Sequence, residues 1–148
     1  MKALTLMQPW ATLIAIGAKR IETRSWSTQH RGPLAIHASA RFPRNLKALC
    51  CDHPQIMDAL LNAHPGRNIL QIVKELPLGK VICTCELLAV KPTSYILDVP
   101  AVTSNEYAFG NYESGRYMWF LNNVKSLQEP VPAKGMLGVW DWPEPKAA

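Results

Sequence analysis

The sequence predicts an α+β domain: a small curled sheet or barrel of about six strands, with a helix after the first strand and a helical insertion. Three observations lead there. Short apolar or alternating runs, separated by Gly- and Pro-containing turns, recur along the chain. The stretch 43–73 instead carries apolar residues at helical spacing, interrupted by Pro54, Pro65 and Gly66. Strand and helix patterns do not alternate regularly, and no Gly-rich phosphate fingerprint is present, which disfavours parallel βαβ winding.

Lys2 to Leu6 alternates weakly and reads as the first strand. Gln8-Pro9-Trp10 opens a helix, with Pro9 near the first turn where a missing N–H is harmless. Trp10, Leu13, Ile14 and Gly17 fall on one stripe, and Gly17 suits a left-handed cap. Ile21 to Arg24 reads as a strand, with Ile21 and Thr23 on one face and Glu22 and Arg24 on the other. Arg31-Gly32-Pro33 is a turn before a buried strand, Leu34 to Ala38. Residues 43–73 form two or three short helices. Lys80 to Val90 is a long β-rich run after the Pro77–Gly79 turn. Residues 92–115 are irregular, with one helical turn near Asn105. Tyr117 to Val124 and Gly135 to Trp142 supply the last two strands.

The chain has 148 residues, 48% hydrophobic and 18% charged, which is one globular domain, 1–148, with a core that needs no staples. No apolar run reaches membrane-spanning length. The N-terminus lacks a signal-peptide pattern, so a cytoplasmic location is expected. Cys50, Cys51, Cys83 and Cys85 have neither zinc-knuckle nor disulfide-framework spacing and read as free thiols. No metal and no cofactor is expected. The net charge of +5 is uneven: residues 1–50 hold eight Lys/Arg against Glu22 alone, whereas residues 51–148 hold eight against ten acids. The halves carry +7 and −2, so the first third offers a positive face, to which Arg41, Arg44 and Lys47 contribute.

The run GAKRIETR, residues 17–24, resembles the hallmark of the ASCH family, roughly G-x-K-x-I-E-x-R. Leu6-Met7-Gln8-Pro9-Trp10-Ala11 resembles the start of its bacterial and phage members. FGNYESGRYMWFL, residues 109–121, resembles their second block, and PAKGMLGVW, residues 132–140, their last strand. The resemblance implies a PUA-like β-barrel with a cleft lined by the hallmark. It also implies RNA binding, RNA cleavage or hydrolysis of N4-acetylcytidine, because members have been linked to all three. In the N4-acetylcytidine amidohydrolases that this chain resembles, a Thr nucleophile stands where Glu22 is, beside a matching Lys, and a further Glu comes later. Glu106 matches that Glu better than Glu86 does. The missing Thr leaves a water route through Glu22.

A Lys, a Glu and an Arg at one cleft form a charge-coupled set that can hold a base edge or phosphate, or move protons. Lys19 is the candidate oxyanion stabiliser or proton donor, Glu22 the candidate base, and Glu106 the third catalytic candidate. Arg24, Trp26, Gln8, Tyr112, Arg116 and His37 are candidate substrate-binding residues. Trp26 reads equally as a stacking platform or as core, and Gln8 equally as a base reader or as a helix cap. Tyr112, Ser114, Gly115 and Arg116 form a polar turn suited to phosphate or ribose. Trp10 and Trp119 read as core. His37 lies on a buried strand; with Lys19 it is the candidate acid of a ribonuclease.

Three functions are therefore expected in order: a metal-free amidohydrolase of N4-acylated cytosine nucleosides, an RNA-binding module without catalysis, and a ribonuclease. The partner is a nucleoside or RNA, with no membrane, and a domain of this size leaves monomer and dimer open.

Overall fold

The computed structural model describes residues 1–146. The expected domain runs on to residue 148, and its last two residues lie outside that description. Twelve segments are regular: β1 (Lys2–Leu6), α1 (Trp10–Ala15), β2 (Ile21–Arg24), β3 (Gly32–Ala38), α2 (Arg44–Asp52), α3 (Pro54–Ala63), α4 (Ile69–Glu75), β4 (Lys80–Pro92), a 3-10 helix (Thr93–Asp98), α5 (Ser104–Ala108), β5 (Tyr117–Pro132) and β6 (Val139–Asp141).

The strands form one mixed six-stranded sheet in the order β2-β5-β4-β3-β1-β6. β1 and β3 pair in parallel, and the remaining neighbours are antiparallel. The predicted α+β architecture, a small curled sheet of six strands with a helix after the first and a helical insertion, is the one observed. β2 and β6 are the two edges. The sheet curls so far that Arg24 at the end of β2 donates to the carbonyl of Thr5 on β1. The seam of this open barrel is therefore clasped by a side chain rather than closed by a ladder.

Bulges produce the curl. In the β4–β5 ladder, Glu86 faces Asn122 and Thr84 faces Lys125, so two residues of β5 span one of β4. Asn123 lies in that step at φ 51, a left-handed conformation that Asn tolerates better than most side chains.

Alternation along β3 sorts the core. Leu34, Ile36 and Ala38 face the barrel interior with Leu4, Leu6, Ile14, Ile82, Leu87, Trp119 and Leu121. Ala35, from the other face, packs with Ala3, Val81, Trp140 and Trp142. α2, α3 and α4 form a satellite layer whose Cys50, Ile56, Leu60 and Ile72 meet Leu13 and Phe109. The insertion thus resolves into three helices. Phe109, just after α5, is buried in the same cluster and ties the segment before β5 to them.

Two strand bounds differ from expectation by more than two residues. β5 continues to Pro132, because residues 125–132 pair with the first half of β4. Their polar, Pro-containing sequence hides this: one side is exposed, and pairing rather than propensity holds the strand. The last strand begins at Val139 rather than Gly135. Gly135 passes so close to His37 that a Cβ there would lie 2.8 Å from its ring, which commits 133–138 to a loop across the sheet edge.

Candidate functional site

The seam holds a cleft of about 650 Å³, in the range of small-molecule sites. One wall is β2 and its continuation, Glu22 to Trp26. The other is β1 with Met136, Leu137 and Gly138 ahead of β6. Met7, Trp10, Ser39, Leu46 and Phe109-Gly110-Asn111, with Arg116, complete the lining. β6 stops opposite Leu4, so the carbonyl of Thr5 is left for Arg24, whose Nη2 reaches it at 2.7 Å.

Gly17 ends α1 at φ +81 with its N–H on the Ile14 carbonyl, and the chain turns into the hallmark. That turn drives Lys19 inward, to 1% exposure. Its ammonium meets three acceptors: the Ile21 carbonyl at 2.7 Å, the Phe109 carbonyl at 2.6 Å, and Glu22 Oε1 at 3.5 Å. Burial pushes the Lys19 ammonium below the ordinary lysine range, while Glu22 and then Glu106 pull it back up. Two hydrogen bonds to carbonyls and an ion pair with Glu22 surround the charged form.

Glu22 stands between Lys19 and the cleft. Its Oε1 also accepts from the Thr23 N–H at 3.1 Å, and its Oε2 lies 3.1 Å from Arg24 Nε. That last contact is an ion pair whose alignment falls short of a hydrogen bond, so Nε keeps an unused donor. The Arg24 guanidinium also lies 6.0 Å from the Trp26 ring. Trp26 is half-buried and packs edge-to-face on Trp119 at 4.9 Å, with one side left to the cleft.

The other candidates divide. Arg116 lines the cleft and is held by the carbonyls of Asn111 and Thr23. Glu106 lies behind β2, where its carboxylate accepts the N–H groups of Arg20 at 2.8 Å and Ile21 at 3.4 Å. Burial raises its pKa against those bonds and Lys19. It shapes the hallmark from behind and does not line the cleft. Tyr112 stacks on Tyr107 at 5.5 Å, and among the described residues its buried hydroxyl has no partner. Burial, then Glu106 and Glu22, push that hydroxyl up.

Gln8 is fully buried. It accepts from the Thr12 N–H and donates to the Pro77 carbonyl, so of its two readings the cap is the one seen. His37 lies outside the cleft, with Nε2 on the Ala133 carbonyl at 2.7 Å and Nδ1 on Thr5 Oγ1 at 3.2 Å. That hydroxyl also accepts from Trp140 Nε1 at 3.0 Å. The chain of bonds assigns the ring proton to Nε2 and leaves Nδ1 as acceptor.

Sequence reasoning passed over three features. Trp10, read as core, is half-buried and lines the cleft. Asn111 and Met136-Leu137 come from loops with no periodicity to flag them. Thr23 was expected to face away from Glu22, yet both line the cleft. Loop 109–111 folds over the end of β2, and the Asn111 N–H donates to Thr23 Oγ1 at 2.9 Å.

A family model for the ASCH domain matches residues 4–131. Over 40 residues the chain is 55% identical to human Activating signal cointegrator 1 and 52% identical to its Mus musculus counterpart. That segment is 27% of this chain and spans only 7% of the length of either relative. The crystal structure of ASCH from Zymomonas mobilis aligns with a TM-score of 0.50 at 12% identity, covering 88% of this chain and 72% of that one. At such identity the likeness is one of fold. With a family model matched over most of its length, the chain belongs to the ASCH domain family.

Proposed function

We propose that the cleft binds a single unpaired nucleobase, presented by a nucleoside or by RNA. The observation that carries this is the half-buried Trp26 face beside the Arg24 guanidinium and the Glu22 carboxylate, at an opening about 650 Å³ in size. An aromatic face accepts the flat base, and a donor and an acceptor next to it can pair with its edge. A cytosine edge offers both a donor amine and acceptor atoms, so it matches an Arg–Glu pair.

The test is quenching of tryptophan fluorescence by cytidine, N4-acetylcytidine and a short single-stranded RNA. Saturable binding that Trp26→Ala weakens about tenfold or more supports the reading. Ligand-insensitive fluorescence with no binding by calorimetry overturns it.

A second reading, amide hydrolysis, rests on Glu22 at the cleft wall. Water would add to the acyl carbonyl of an N4-acylated cytosine while Glu22 takes its proton. The C–N bond then breaks, the carboxylic acid leaves, and the 4-amino nitrogen receives a proton. Lys19 is poorly placed as oxyanion donor, because it is buried outside the cleft lining, hydrogen-bonded to two carbonyls and paired with Glu22. Conversion of N4-acetylcytidine to cytidine that Glu22→Gln abolishes supports this route, and base binding without conversion leaves a recognition module. RNA cleavage through His37 has less support, since both ring nitrogens are engaged away from the cleft.

A further inference from the structure

Met136 and Leu137 stand in water at the edge of the cleft. Leu137 is 98% exposed and Met136 56%, yet both belong to its lining. Both also border a second hollow of about 430 Å³, so open space lies on two sides of them. The loop that carries them is held at its ends. At the start, Ala133 donates its N–H to the Gly79 carbonyl at 3.1 Å, and its own carbonyl accepts from His37 Nε2 at 2.7 Å. At the finish, Val139 pairs with Leu4. Among the described residues, Lys134 to Leu137 make no backbone hydrogen bond. The root is closely built. His37 is buried, Thr5 Oγ1 bonds its Nδ1, and the Trp140 ring packs edge-to-face on it at 5.7 Å. Gly135 lies on the same ring, where a Cβ would meet Cε1 at 2.8 Å and Nδ1 at 2.9 Å. Gly138 stands at φ +70 just before β6. Two glycines thus bracket Met136 and Leu137, the first against a fixed ring and the second in a backbone conformation that favours glycine.

We propose that Met136 and Leu137 are a flap that folds onto the ligand in the cleft, and that His37 is the positioning residue that fixes its root. This rests on the base-binding reading above and adds a gate to it. The flap stands on the wall opposite Trp26, so closing holds a flat ligand between the indole and two apolar side chains. Closing also takes both side chains out of water. A loop that only joined β5 to β6 would gain by packing its leucine inward, whereas this one holds it out beside the cleft. His37 touches no ligand, since it lies outside the cleft lining with both ring nitrogens engaged.

The experiment has two readouts on the intact chain. Stopped-flow tryptophan fluorescence gives the association and release rates of cytidine. Trypsin, which cuts after Lys134 when the loop lifts, reads the root without any ligand. Met136→Ser/Leu137→Ser removes the flap at two exposed positions, so the fold is not at stake. It is expected to release cytidine about tenfold faster, the worth of one buried leucine side chain, with association little changed. His37→Leu removes the donor to Ala133, and Gly135→Ala pushes the loop off the ring while leaving buried His37 in place. Each is expected to be cut after Lys134 at least about tenfold faster than the parent, and to release cytidine faster. His37→Gln keeps an N–H for the Ala133 carbonyl and is expected to restore both rates.

If cytidine leaves the flap variant as slowly as it leaves the parent, the flap is wrong and the base site stands. If His37→Gln is cut as fast as His37→Leu, or Gly135→Ala as slowly as the parent, His37 does not fix the root. Should His37→Leu be cut at basic residues throughout, it has unfolded, and Gly135→Ala with His37→Gln decides the root. If cytidine binds none of these proteins, the base-binding reading falls and takes the flap with it, while the root still stands or falls by trypsin.

Discussion

Lys19 donates to the carbonyl of Phe109 at 2.6 Å, joining two residues 90 apart in the chain. Through this one ammonium the hallmark turn is tied to the loop that covers the end of β2. Lys19→Met would leave the carbonyls of Ile21 and Phe109 without a donor and Glu22 with one cation fewer. Removing one partner from a buried ionic cluster costs about 3–5 kcal/mol. Urea unfolding should show a loss of that size, with Glu22→Gln losing less, about 1–2 kcal/mol. A Lys19→Met protein as stable as the parent would mean that the ammonium is not the hub described.

The two tryptophans at the cleft should separate binding from stability. Trp26 is half-buried with a face toward the cleft, while Trp119 behind it is 0% exposed. Trp26→Ala should weaken base binding by about 1–3 kcal/mol and disturb stability less. Trp119→Ala should cost about 3–5 kcal/mol of folding energy by opening a cavity. Equal effects on unfolding and on binding in both variants would show that Trp26 is merely core.

These two side chains also show what the sequence could and could not say. Alternation placed Glu22 and Arg24 together, and a spacing of three put Lys19 within reach of Glu22, so the charged set was legible. Lys19's burial was not, because it depends on the Phe109 carbonyl, delivered from far along the chain. The same holds for Trp10, whose stripe on α1 looked like core until the seam beside it stayed open. Glu106 was picked out by its match to a family Glu, yet its oxygens face backbone N–H groups, a partner no sequence pattern reports. The end of β5 was hidden because Ser126 to Pro132 is polar outside the ladder. In every case the missing information was a contact between distant segments.

Gly110 is small for a packing reason. A Cβ there would sit 2.8 Å from Tyr112 Cε2 and 3.1 Å from both Thr23 Cγ2 and Oγ1. Gly110→Ala should push loop 109–111 off β2, strain the Asn111 to Thr23 bond, and cost about 1–3 kcal/mol. Amide exchange at Asn111 should rise more than at Leu121 in the core. Unchanged exchange at Asn111 would mean that the loop absorbs the methyl without moving.

The four thiols should react unequally. Burial, with Cys51 nearby, raises Cys50 to about 11, and burial, with Glu86, raises Cys85 to about 12. Cys83 is also pushed up by burial. A thiol at about 11 is roughly 0.1% thiolate at pH 8, so its attack on a disulfide reagent is slow. Cys51 is half-buried and should be the one fast thiol, with the other three released only by denaturant. A fast Cys50 in the native protein would show that α2 opens more readily than its packing implies, and a fast Cys83 or Cys85 would show the same of β4.

Glu106 should leave a signature in stability against pH. Burial raises its folded pKa above the ordinary 4.5, so in the window between them the native state binds more protons than the unfolded chain. Stability from this group is therefore full below 4.5 and declines as pH rises through the raised value, then levels off. Glu106→Gln keeps an oxygen for the Arg20 N–H but no longer titrates. Subtracting the variant's unfolding free energies from the parent's, in urea series from pH 4.5 upward, should give a difference that falls with pH. A difference that rises instead would mean that Lys19 and the two backbone N–H groups outweigh burial. Glu106 would then be a carboxylate stabilised in place, and Lys19 would have two anionic partners in the fold.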